Sequence, residues 1–283
     1  MGGHRILCGS VLTAVDHITA RVLDLERAVD TYRRLGFTLA YGPPSDGGQG
    51  VAYAVFGDFH LEFREHADRS GPGSEGLHTL ALRSDDIDAD VARLRAGGVP
   101  VADPVDDPIS VGERSLWRRT AAVDATIPIS LVEHDHHADD LQALLGGATD
   151  HANTATVLER TYVAVTSIDR ELPAFERVLG QPAPEPEMGT VIMSMMSVFY
   201  VGTVGIAVAE PRGAGPTADA LSANGPGMFQ VLFRAEHLDE AEGIMALHGL
   251  PPPARGTRLS GESALLVSPE HACGIYVAMA GNP

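Results

Sequence analysis

The chain carries only two cysteines among its 283 residues, Cys8 and Cys273, near opposite ends. A single long-range disulfide could join them, but two lone thiols in a reducing compartment are the expected state. Neither lies in a Cys-x-x-Cys pair, which excludes thiolate zinc chemistry of that type. Long apolar runs are missing as well: no stretch approaches the roughly 20 apolar residues of a membrane span. The opening MGGHRILCGSVLTAV has one Arg, a short apolar run and no convincing cleavage site, so the expected location is cytoplasmic. Positive charge is scarce, 20 basic residues against 38 acidic ones, for a net charge of −18. Such a balance repels nucleic acid and anionic membrane surfaces. It is compatible with a neutral or cationic small molecule, and equally with solubility alone. Neither a Gly-rich phosphate loop at a strand-to-helix junction nor a Ser-His-Asp or Cys-His arrangement is present. What remains is 44% hydrophobic and 20% charged residues, the composition of a folded chain long enough for two ordinary domains.

Internal repetition is the strongest positive signal. Residues 17–24 alternate as a strand, with Ile18, Ala20 and Val22 on one face. From Asp24 the period changes: Leu25, Ala28, Val29, Tyr32 and Leu35 define one face of a helix, and Gly36 stands where a helix ends. Strands follow in FTLAYG, GVAYAVFG and DFHLEFRE. The same order recurs from GLHTLALRS (76–84), from ERTYVAVTS (159–167) and from GMFQVLFRA (227–235). Shifting the second unit by 151 residues onto the fourth places Gly76 on Gly227, Arg83 on Arg234, Asp88 on Asp239 and Gly98 on Gly249 without a gap. The chain is therefore expected to be α+β, a tandem duplication of a two-unit domain. Its first domain covers 1–135, a polar linker 136–158 with one short helix at ADDLQALLG, and the second domain 159–283. PRGAGPTADALSANGPG (211–227) reads as a loop.

The pattern Asp16-His17-Ile18…Val22-x-Asp24-Leu25-x-x-Ala28-x-x-x-Tyr32-x-x-Leu35-Gly36-Phe37 resembles the opening βαβββ module of the vicinal oxygen chelate superfamily, which includes glyoxalase I, extradiol dioxygenases and bleomycin-binding proteins. The resemblance runs over nearly the whole chain. It implies that modules pair into cupped mixed sheets, with a divalent metal (Fe, Zn, Mn or Ni) held by the first and last strands of each module. Carried onto this chain, His17 and His78 would be metal ligands and Glu62 a ligand, catalytic base or both. Ser130 falls opposite Glu62 when the last strands are aligned, and Glu133 would complete the set if a bulge or strand end turned it inward. His60 and Arg64 share the face of Glu62, and with Ser130 and Trp117 they would line the cup for substrate.

In the second half the positions of His17, His78 and Glu62 hold Arg160, Phe229 and Ala207, so this half cannot build the same metal site. It is expected to be a structural partner or an apolar pocket, with Met188, Met228 and the MSMM run at 193–196 suited to either. The His-rich string EHDHHADD (133–140) is read as solvated linker. Two functions fit: a metal-dependent enzyme of glyoxalase or dioxygenase type centred in the first domain, or a metal-free protein that binds a small molecule such as an antibiotic. A small-molecule partner is expected in both, with no nucleic acid and no membrane, and a homodimer is compatible with either.

Overall fold

The computed structural model describes residues 12–42, 50–66, 74–106, 110–111, 114–115, 117–134 and 149–282. Cys8 and the expected linker helix at ADDLQALLG lie outside them. The first half contains β1 (Leu12–Val22), α1 (Leu25–Arg34), β2 (Ala40–Tyr41), β3 (Val51–Phe56), β4 (Phe59–Glu65), β5 (Gly76–Ser84) and α2 (Ile87–Ala96). It continues through β6 (Val105–Asp106), β7 (Ser110–Val111), β8 (Arg114–Ser115), β9 (Trp117–Arg119), β10 (Val123–Ala125) and β11 (Ile127–His134). The second half runs through β12 (Ala155–Ala164), α3 (Ile168–Leu179), β13 (Glu187–Gly189), β14 (Ser194–Val201), β15 (Val204–Pro211) and α4 (Pro216–Asn224). It ends with β16 (Gly227–His237), α5 (Leu238–Leu247), β17 (Ala254–Thr257), β18 (Ser263–Val267) and β19 (Tyr276–Asn282).

Apart from the separate β7-β8 pair, these strands form two mixed sheets, β2-β3-β4-β1-β5-β11-β9-β6 with β10 on β11, and β13-β14-β15-β12-β16-β19-β18-β17. Each is a pair of βαβββ modules, the expected fold. At the centre of each sheet the opening strands of its two modules run antiparallel, flanked by the parallel closing strands. The duplication is exact in register. Each pair of the β1–β5 ladder recurs in the β12–β16 ladder, so that His17↔Ala81 becomes Arg160↔Leu232 and Thr19↔Thr79 becomes Tyr162↔Gln230. Even the irregularities coincide: the bulge between Val15 and His17 reappears between Leu158 and Arg160.

Local chemistry sets the helix limits. The Asp24 and Asp86 carboxylates accept hydrogen bonds from the Arg27 and Ala89 amides, each at 2.9 Å, and so cap α1 and α2. The residues that stop α1 and α2, Gly36 and Gly98, take φ of 87° and 79°, where a side chain would be strained. Two sequence readings change. The stretch 211–227 contains α4, begun by Pro216 in its first turn and carrying Asp219 near its N-terminus. The strand β12 starts at Ala155, inside the span read as linker.

The segment before β12 is also tied down. His151 Nδ1 accepts from the Thr38 amide at 2.9 Å, its Nε2 donates to the Val55 carbonyl at 3.0 Å, and buried Asn153 donates to the Leu35 carbonyl at 2.9 Å. One apolar core joins the halves. Phe56 stacks on Phe233 at 4.5 Å, and Phe37 meets Phe233 at 5.5 Å. The faces turned away from that core carry separate apolar clusters, Val51, Tyr53 and Val55 in the first half and a larger group around Tyr162 and Phe229 in the second.

Candidate metal centre

In the first sheet the parallel pairing of β1 with β4 sets His17 beside His60, Thr19 beside Glu62 and Arg21 beside Arg64. The two imidazoles stack with ring centroids 4.7 Å apart and planes inclined by 17°. At the bulge that precedes His17, Asp16 turns its side chain to the same neighbourhood, and its Oδ1 lies 2.8 Å from His17 Nδ1. Asp16, His17 and His60 thereby bring one candidate ligand atom each to within 4.8 Å of one another. Asp16 is buried and also engages Arg83 at 3.0 Å and His134 Nε2 at 2.5 Å.

The electrostatics follow from this crowding. Burial works against ionisation of Asp16, yet its hydrogen bonds to His134 and His17 hold the carboxyl well below its ordinary value. Burial also works against an imidazolium at His17, but the bond to Asp16 and its charge prevail and raise the pKa. His60 is the opposite case: burial, then the nearby charge of His17, lower it to about 3, so its ring is neutral and able to ligate. Glu62 is buried, and although burial opposes its charge, His17 and Arg64 bring its pKa down. Its Oε1 accepts from Arg64 Nε at 2.9 Å and from Thr19 Oγ1 at 3.3 Å.

The other sequence candidates are placed as follows. Ser130 pairs with Ala81 as Glu62 pairs with Thr19, so it is the counterpart of Glu62 in the second module and supplies a hydroxyl there. Trp117 packs against the Val51, Tyr53 and Val55 cluster, 6.0 Å from the His134 ring, while Tyr53 meets His60 edge-on at 5.3 Å. The structure does not bring His78 or Glu133 to the cluster of ligand atoms. His17 lies seven residues before its helix cap Asp24, whereas His78 lies eight before Asp86, which makes Thr79 the counterpart of His17. His78 instead lines a crevice shared with Pro128, Ala220 and Phe229. Glu133 accepts from the Ile87 amide at the start of α2 at 3.1 Å and pairs with Arg118 at 3.2 Å. Glu210 does the same for Ile168 of α3 at 3.0 Å, which marks this as a structural device of the repeat. Among the described residues the group of candidate ligand atoms within 4.8 Å of one another is Asp16, His17 and His60, which shares His17 with the set read from the sequence and does not include Glu62, His78 or Glu133. The sequence reading missed Asp16 and His134 and gave His60 only a substrate role. The signal for Asp16 was its place beside His17, and the bulge that aims it inward is a tertiary feature.

Paired βαβββ modules forming two cupped mixed sheets are the fold of the vicinal oxygen chelate superfamily. Within it, the chain belongs to the glyoxalase-like domain family, whose pattern matches residues 15–179. Comparison with curated proteins gives no significant match. Among solved structures, a variant of 4-hydroxymandelate synthase from Streptomyces coelicolor is similar, with a TM-score of 0.69 at 16% identity over 96% of this chain and 93% of that one. A xylose isomerase-like TIM barrel/4-hydroxyphenylpyruvate dioxygenase fusion protein gives a TM-score of 0.65 at 15% identity over 96% of this chain, which spans 49% of the fusion protein's length. A hypothetical protein from Staphylococcus aureus gives 0.62 at 10% identity, covering 95% of this chain and 98% of that one. These likenesses are likenesses of fold. None of the helices among the described residues is long and apolar enough to cross a membrane.

Proposed function

We propose that the N-terminal cup is the active site of a divalent-metal-dependent enzyme of glyoxalase or dioxygenase type acting on a small organic molecule. The observation that carries this reading is the convergence of Asp16, His17 and His60 within 4.8 Å. Two imidazoles and one carboxylate are a donor set suited to Fe²⁺, Zn²⁺, Mn²⁺ or Ni²⁺, so the residues fit such an ion. Bound there, the ion would supply Lewis-acid polarisation of substrate oxygens. His60 offers a neutral nitrogen, and Asp16 fixes the tautomer and orientation of His17 through its Nδ1. Glu62, paired with Arg64 on the same face, would take or hold a substrate proton. Tyr53, edge-on to His60, and Trp117, packed against the Tyr53 cluster, would offer aromatic surface to a planar ligand. The similar solved structures named for dioxygenase and hydroxymandelate synthase activity support this class.

One feature favours the rival reading, a metal-free small-molecule binder. Asp16 already accepts from His17, Arg83 and His134, which satisfies its oxygens without an ion. Metal analysis separates the two. After loading with Fe²⁺, Zn²⁺, Mn²⁺ and Ni²⁺ in turn, the protein should hold about one equivalent of one of them. His17→Ala and His60→Ala should lose it while His78→Ala retains it. Failure of the unaltered protein to take up any of the four ions would overturn the enzyme reading in favour of the binder.

A further inference from the structure

The C-terminal cup lacks both imidazoles of the N-terminal one, with Arg160 and Gly205 at the positions of His17 and His60, yet it holds a cavity of about 620 Å³. That volume lies within the range of small-molecule sites, roughly 300–1,000 Å³. Its walls are mostly apolar, with Met196, Leu232 and Ala278 among them, and Val191 and Leu259 stand exposed at its edge. Two polar side chains break this lining. Gln230 is only 4% exposed, and its Oε1 has no hydrogen-bond partner. Arg160 likewise has a buried Nε without a hydrogen-bond partner; its guanidinium lies over the Tyr162 ring at 5.9 Å, and its outer nitrogen makes a long 3.5 Å contact with the Tyr200 hydroxyl. Buried polar atoms left unpaired cost stability and call for an explanation.

Charge isolates Arg160 further. The neighbouring guanidiniums are committed: Arg258 pairs with Glu159 and Glu262, and Arg255 with Asp239 and Glu242. Glu187, also on the cavity wall, is exposed to solvent. Among the described residues no carboxylate forms an ion pair with Arg160. The backbone has made room for it, since a Cβ at Gly205 would sit 3.2 Å from Arg160 Nε.

We infer that the C-terminal cup is a second, metal-free binding site for an apolar monoanion that also carries a hydrogen-bond donor, such as a hydroxylated or amino-substituted hydrophobic carboxylic acid. Arg160 receives the anionic group, because a guanidinium matches a carboxylate or sulfonate with parallel N–H donors. Gln230 accepts from the ligand's O–H or N–H, and the Met196, Leu232 and Ala278 surface takes the apolar body. The site is independent of the metal centre and stands whether or not the N-terminal cup binds an ion.

The test uses two fluorescent probes of the same shape and different charge: 8-anilinonaphthalene-1-sulfonate, an apolar anion with one N–H, and the neutral N-phenyl-1-naphthylamine. The full chain should bind the anion saturably, one per chain, and more tightly than the neutral probe. Arg160→Gln should weaken the anion by roughly tenfold or more and leave the neutral probe unchanged, which a general loss of folding cannot do. Gln230→Leu should weaken both through their shared N–H, and Met196→Trp, which fills the cavity, should abolish both. Absence of saturable binding, or an Arg160→Gln variant that loses the two probes equally or keeps its preference for the anion, would overturn the proposal.

Discussion

The two cups share a scaffold and differ in what lines them. At the bulge of each opening strand sits an acid paired with an arginine, Asp16 with Arg83 at 3.0 Å in one half and Glu159 with Arg234 at 3.1 Å in the other. This pair belongs to the duplicated framework. The next residue is where the halves part. His17 stacks on His60, whereas its counterpart Arg160 lies against Gly205, and Ala207 replaces Glu62. One cup therefore gathers imidazoles around a buried carboxylate, and the other presents a guanidinium in an apolar cavity. Ladder geometry survives such divergence because it depends on backbone hydrogen bonds and the core face; the cup face is free to change its chemistry.

The comparison can be broken at its base by removing what the halves have in common. Phe233→Ala deletes the ring that stacks on Phe56 and meets Phe37, and should cost about 3–5 kcal/mol. Because the core is shared, chemical denaturation should show both halves losing stability in one transition; a second transition unaffected by the substitution would show that the cups fold separately. Asp16→Asn should next separate framework from chemistry. It removes the charge that orients His17 and should lower metal affinity roughly 10–100-fold. Glu159→Gln, the matching change in the other half, should leave metal affinity unaltered in the same titration.

Smaller effects sharpen the contrast. Glu133→Gln and Glu210→Gln each weaken a carboxylate contact at a helix N-terminus and should cost about 0.3–1 kcal/mol of thermal stability. Metal content should not change in either, and its loss in Glu133→Gln would restore Glu133 as a ligand. The smallest effect concerns pH. Burial lowers the pKa of His151 below its ordinary 6.5, against the Val55 hydrogen bond that raises it. The native state therefore binds fewer protons there than the unfolded chain, so stability falls as pH drops below about 6.5 toward the native value. His151→Gln can keep both hydrogen bonds without titrating, and melting temperatures measured between pH 7 and 5 should fall less steeply in that variant.

Much of the architecture was legible because it is written in local patterns. The change to helix at Asp24, the stops Gly36 and Gly98, and the 151-residue offset that carries Gly76 to Gly227 and Gly98 to Gly249 all recur in the structure at their expected places. The helix at Pro216–Asn224 was obscured by the glycines and prolines around it. The site was only partly legible. His17 and Glu62 stood out by motif and shared face, but His60 becomes its partner through a parallel pairing of β1 with β4, a long-range register that no local period encodes. His78 looked equivalent to His17 because both begin strands, while its one-residue difference in distance from the helix cap carries it to another crevice.

By itself, then, the sequence determined the repeating unit, the order of its elements and the faces that would be buried, since these rest on hydrophobic period, capping and turn chemistry within a few residues. It also showed that the second half carries Arg160, Phe229 and Ala207 where the first has His17, His78 and Glu62. Only the tertiary structure decided which side chains meet. Strand register and two bulges put Asp16, His17 and His60 together, turned Glu133 to a helix end and left Arg160 and Gln230 on the wall of a cavity. A shift of one residue along a strand reverses the face of its side chain, and that choice is settled by pairing across the sheet rather than along the chain.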